Sequence, residues 1–153
     1  MKKITIIIQI LLISSFCYSQ SGNLQVTYMR DLDFQQIIPG VTKTITEMSP
    51  YAGKFIITSD GTKMTVSVTF NLSGGITSGS NIIPVKYTAT QSYVPNDNQP
   101  GIPFDPYAGT TLIFDDRTKE YYIKLGGIIN SPPVQFSGMY SSPIIIILTI
   151  VSN

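Results

Sequence analysis

Residues 142–151 (SPIIIILTIV) contain no charge and are dominated by β-branched side chains, the type that packs best on a pleated surface. A bilayer-spanning helix needs about 20 apolar residues, so the run is too short to cross a membrane as one. The stretch predicts a β-strand that is apolar on both faces. In a two-layer sandwich a strand shows one face to water, so the second face calls for cover from a loop, another strand or another chain. Ile145, Ile147, Thr149 and Val151 share a face at the strand period of two and form the candidate interface.

The rest of the chain repeats that period and carries no helical stripe. Met64, Val66, Val68 and Phe70 alternate with Lys63, Thr65, Ser67 and Thr69. Phe55 and Ile57 alternate with Lys54 and Thr58, and Ser59-Asp60-Gly61-Thr62 supplies a hairpin turn between the two runs. Leu24, Val26 and Tyr28 share a face, Thr42, Thr44 and Thr46 mark a weaker strand, and Ile83, Val85, Tyr87 and Ala89 form another alternating run. Tyr121, Ile123 and Leu125 read as inward. Pro84 has no N–H for a ladder, which predicts an edge there. Residues 71–81 (NLSGGITSGSN) read as a connection, and residues 94–109, with four prolines, as an irregular loop. Gly126-Gly127 reads as a break or bulge. Short strands separated by turn signals predict an all-β antiparallel sandwich.

At the other end, Lys2 and Lys3 precede an apolar run over residues 4–16, followed by Cys17-Tyr18-Ser19 with small residues placed for cleavage. Basic, apolar and small-residue parts in that order describe a secretory signal peptide. A lipoprotein signal would acylate Cys17, but Phe16 stands where such a signal has a small residue. The expected organisation is a signal peptide over residues 1–19 and one β-sandwich domain over residues 20–153. The mature chain is expected in the periplasm, on the outer surface or outside the cell, with no transmembrane span. Without Lys2 and Lys3 it has eight basic and nine acidic residues and no basic block, which argues against nucleic acid and anionic lipid as partners. Cys17 is the only cysteine, so no disulfide is expected after cleavage.

The chain has no histidine, which removes Ser-His-Asp and Cys-His nucleophiles and most zinc sites. Asp115-Asp116 and the pair Asp31 and Asp33 are the carboxylates that could serve a glycosidase. The first pair reads as turn chemistry, and the second as the outward face of a strand. No catalytic residue and no cofactor are assigned, and the chain reads as a non-enzyme. Asn96, Asp97, Asn98 and Asp105 could offer oxygen ligands to calcium, but their spacing is not that of an EF-hand loop, and Asx residues beside prolines are ordinary turn formers. Tyr93, Phe104 and Tyr107 are the candidate loop contacts. They either stack on a glycan or dock a protein, or they pin the loop to the sandwich.

Taken in order, several segments resemble one family of exported bacterial domains. LDFQQIIPG (residues 32–40) resembles its L-D-F-G-x-I-x-P-G opening, and GKFIITSDGTKMTVSVTF (residues 53–70) its central hairpin. YYIKLGG (residues 121–127), the Ser-Gly-x-Tyr turn at residues 137–140 and the terminal strand resemble its close. The family is known as domain of unknown function 4402 and is similar to spore-coat-U-like and archaic chaperone–usher pilin subunits. The resemblance implies an immunoglobulin-like sandwich displayed outside the cell. It also implies a subunit joined to itself or to another subunit by strand addition, and a periplasmic chaperone as a further partner. No catalytic residues come with it. Gln35 stands where the family pattern has glycine, which predicts a gentler bend there. On this reading residues 20–28 are the candidate donor segment. The alternative is a monomeric binding module that uses residues 94–109 on glycan or protein.

Overall fold

A computed structural model describes residues 23–94 and 99–152 of the chain. The expected signal peptide and the Asn96–Asn98 part of the candidate calcium loop lie outside the described residues. Ten strands are found among those described: β1 (Leu24–Arg30), β2 (Thr42–Ile45), β3 (Gly53–Ser59), β4 (Met64–Leu72), β5 (Gly75–Ser78), β6 (Asn81–Ser92), β7 (Ile102–Phe104), β8 (Thr110–Phe114), β9 (Glu120–Asn130) and β10 (Ile144–Ser152). Every strand pairing is antiparallel.

The strands form two sheets. The larger runs β1-β3-β9-β6-β5, with β2 also on β9 and β7 also on β6; the smaller runs β10-β4-β8. β9 is the axis of the larger sheet. Along one edge it pairs with β6 over residues 122–129. Along the other it pairs first with β3, from Glu120 to Leu125, and then with β2, from Gly127 to Asn130.

The sheets pack face to face as an all-β sandwich. Inward residues of β3 and β9 (Ile57, Ile123, Leu125) meet those of β4 and β8 (Met64, Val66, Val68, Leu112, Phe114) in one buried cluster. The alternation Met64/Val66/Val68 against Thr65/Ser67 is the burial pattern of a half-covered strand. Each fully buried aliphatic or aromatic side chain there contributes about 1.5–3 kcal/mol. A second cluster, with Phe34, Ile45, Ile83, Val85, Tyr87 and Ile129, fills one end of the sandwich.

Three local expectations are corrected. Residues 71–81 are not a plain connection: β4 runs on to Leu72, and β5 pairs with the start of β6 from Gly75↔Pro84 to Ser78↔Asn81. The proline-rich stretch contains β7, which pairs with β6 through Ala89↔Phe104, Thr90↔Pro103 and Gln91↔Ile102. Gly126-Gly127 neither breaks nor bulges β9, whose pairing to β6 passes through both residues without a shift. The two glycines are required by close approach instead. A Cβ on Gly126 would lie 2.5 Å from the carbonyl oxygen of Ile45, and one on Gly127 would lie 2.9 Å from the tip of the Phe34 ring. The expected edge at Pro84 fits its position, since pairing of β6 with β9 begins only at Val85.

Candidate functional site

β10 lies at the edge of the smaller sheet, bonded to β4 from Ile144↔Leu72 to Ser152↔Thr65, with a register shift between Ile150 and Ser152. Ile144, Ile146 and Leu148 pack against the main core. The alternate residues face outward: Ile145 is 50% exposed, Ile147 47%, and Thr149 is also exposed. Val151, at the bulge, is 63% exposed. The strand thus buries one apolar face and leaves the other open, and no segment among the described residues covers it. Its entry is fixed by paired backbone bonds between Thr77 and Ser141 and by a hydrogen bond between the Ser73 and Ser142 hydroxyls.

The outward face of the small sheet carries no charge along β4 and β10. Ile145 lies opposite Asn71, Ile147 opposite Thr69, and Thr149 opposite Ser67, which in turn pairs with Thr111 of β8. Thr149, Ser67 and Thr111 therefore form a row of hydroxyls across all three strands, flanked by Ile147 on one side and Ile113 on the other.

A cleft of about 1040 Å³ opens beside the start of β10. One wall is the end of β1 with residues 31–37, and the other is Gln135 with residues 138–144. Two tyrosines line it, Tyr28 and Tyr140. Tyr28 is 55% exposed and sits edge-on to Phe55 at 6.1 Å, with Asp31 close to it in the same lining. The pull of Asp31 on the hydroxyl proton, then desolvation and the carboxylate charge, raise the Tyr28 pKa above the ordinary phenol value. Tyr140 donates to the carbonyl of Phe136 at 2.9 Å. Arg30 reaches the carbonyls of Ala52 (2.7 Å) and Ser49 (3.5 Å) and fixes the turn behind the cleft.

Gln35, also in the lining, is the one non-glycine residue with positive φ among those described, at 54°. The gentler bend expected for glutamine is thus overturned: the chain keeps the left-handed conformation that glycine would take. The bend is held by Asp33, whose Oδ1 accepts the Gln35 N–H at 2.6 Å, and by the burial of Phe34 beside it. A left-handed non-glycine residue costs about 1–2 kcal/mol, and such strain gathers at functional sites. Asp31 and Asp33 lie beyond the end of β1, so they do not share a strand face as expected.

The candidate loop contacts are spread apart. Phe104 belongs to β7, packs on the main core and stacks with Phe70 at 6.3 Å. Tyr107 accepts a hydrogen bond from the backbone N–H of Tyr87 at 3.1 Å and lies edge-on to the Tyr87 ring. Tyr93 is exposed beside Arg117 and Lys119. The Asp105 carboxylate accepts the Tyr107 N–H at 2.9 Å. Asp115 closes its turn by accepting the N–H groups of Thr118 (2.6 Å) and Arg117 (2.9 Å), which hold its carboxyl below the usual range. No cluster of three or more metal-ligating side chains occurs among the described residues.

Comparison with family models, curated proteins and solved structures finds no match to the chain. The cleft went unread in the sequence because its walls are about a hundred residues apart and meet only in the fold. The nearest local signal was Gln35 standing at a glycine position of the resembling pattern.

Proposed function

We propose that the protein is an exported, non-enzymatic surface subunit, an immunoglobulin-like sandwich that joins other copies by strand addition at β10. The observation that carries this reading is the edge itself. β10 is nine residues long and uncharged, and within the described residues it has a strand partner on one side only. Sheets ordinarily blunt such edges with lysine, proline or a covering segment. A bare, apolar edge suits a chain that recruits a strand through main-chain bonds and side-chain pockets.

The donor is β1. Among the described residues β3 is its one strand partner, and five of its seven residues are exposed. Exchanging it between copies sacrifices less buried surface than moving an inner strand. A periplasmic chaperone that shields the β10 edge before assembly is the partner this mode requires.

Size-exclusion chromatography and negative-stain electron microscopy of the protein recovered from the cell surface test the reading. Oligomers or fibres that are lost in Ile147→Lys are expected. A monomer for the unaltered protein at every concentration would overturn strand addition.

A further inference from the structure

The cleft beside β10 has the chemistry of a carbohydrate site, and we infer that it binds an oligosaccharide between the Tyr28 and Tyr140 walls. Sugars offer apolar C–H faces ringed by hydroxyls, so they are held by aromatic rings together with planar amide and carboxylate groups. Both rings are set in advance, Tyr28 by its strand pairing and edge-on contact with Phe55 and Tyr140 by the bond from its hydroxyl to the Phe136 carbonyl. Fixing the rings beforehand removes ordering cost on binding.

Three glutamines supply the hydrogen bonds, each amide offering donors and an acceptor. Gln135 has its side-chain oxygen held by the Ser131 hydroxyl, which leaves its N–H groups to donate. The side-chain amides of Gln35 and Gln36 have no partner among the described residues, and both line the cleft. Gln35 is there at the expense of a left-handed backbone that glycine would adopt freely. Presenting an amide into the cleft accounts for that strain.

The cleft's volume, about 1040 Å³, matches the upper end of small-ligand sites, roughly 1,000 Å³. Asp31 and Asp33 on the rim disfavour phosphate or other anions, and Arg30 is engaged with backbone carbonyls. A peptide strand is disfavoured because residues 31–37 and 135–143 are loops and offer no continuous ladder edge.

The test is a glycan microarray of microbial and host oligosaccharides, probed with the full protein, Tyr28→Ala, Gln35→Gly and Ile147→Lys. Thermal melts serve as the folding control. The expected result is retention of a defined glycan set, at least tenfold weaker binding by Tyr28→Ala and Gln35→Gly, and unchanged binding by Ile147→Lys. Gln35→Gly should melt at or above the temperature of the unaltered protein, which separates lost binding from lost fold. Backbone amide shifts of residues 28–37 and 135–144 should move on adding a retained glycan. The inference is overturned if the unaltered protein retains no glycan, if Gln35→Gly binds equally well, or if a β1 peptide rather than a sugar perturbs those amides. The cleft is complete in a subunit whose β1 stays on its own β3, and Ile147 lies outside it, so failure here is distinguishable from failure of strand addition.

Discussion

The hydroxyl oxygen of Tyr107 lies 3.1 Å from the backbone nitrogen of Tyr87 and stands in for a strand. β6 is bonded to β5 up to Pro84 and to β7 from Ala89 onward. Between them a single side chain, carried on the proline-rich stretch, accepts the N–H of a residue that is only 3% exposed. Tyr107→Phe keeps the ring and removes that acceptor. An unsatisfied buried donor costs about 1–3 kcal/mol, so the variant should lose about that much stability in chemical denaturation. Amide hydrogen exchange at Tyr87 should quicken.

The glycine pair of β9 makes an ordered prediction. A methyl at Gly126 meets the backbone carbonyl of Ile45, whereas one at Gly127 meets the Phe34 ring and a Val85 methyl. Overpacking costs roughly 1–3 kcal/mol, and a ladder carbonyl yields less readily than a ring. Gly126→Ala should therefore destabilise more than Gly127→Ala, read as the difference in denaturation midpoint at equal slope.

β10 predicts opposite outcomes at adjacent residues. Leu148 packs on the main core, while Ile147 is half exposed. Leu148→Ala should cost about 2 kcal/mol, at the low end for a core leucine because its burial is partial. Ile147→Ala should cost under about 1 kcal/mol of monomer stability. Denaturant titrations of the two variants check this directly, and equal losses would show that the outer face is covered in solution.

The pH dependence follows from two turn carboxylates. Asp60 is held below the ordinary range chiefly by the backbone N–H of Thr62, with a further bond from Asn23, and Asp115 chiefly by the N–H groups of Thr118 and Arg117. A depressed folded-state pKa adds stability that is present above the unfolded value, about 3.9. That stability is lost as pH falls through the folded value. With no histidine in the chain, stability should be level between about pH 5 and 8 and decline only below about pH 4. Thermal melts across pH should show a shallower acid limb in Asp60→Asn and Asp115→Asn.

How far the fold could be read in advance depended on whether burial or bonding makes each strand. The run from Met64 to Phe70 and the pair Phe55 and Ile57 write their burial into alternation, so their strands were legible. β5 and β7 exist because they bond to an edge of β6, and Gly/Ser or proline composition hides that. In β10 both faces are isoleucine, so pattern alone could not tell Ile146 from Ile147; only the register against β4 does. Gly126 and Gly127 looked like a break because glycine in a strand has two meanings, a bend or a close neighbour. The neighbours, Ile45 and Phe34, are distant in sequence. The cleft had no local pattern to read.

The uniformity of β10 also bears on how faithfully copies could align. A strand laid along its free edge meets four successive isoleucines from Ile144 to Ile147. Sliding that strand by two residues restores almost the same side-chain environment, so the isoleucine run by itself permits slippage. The bulge between Ile150 and Ser152 interrupts this sameness and, under the proposed strand addition, would mark the alignment. Filaments formed through this edge should keep one repeat distance while the bulge is intact, and become heterogeneous in axial spacing when Val151 is deleted and the strand runs straight.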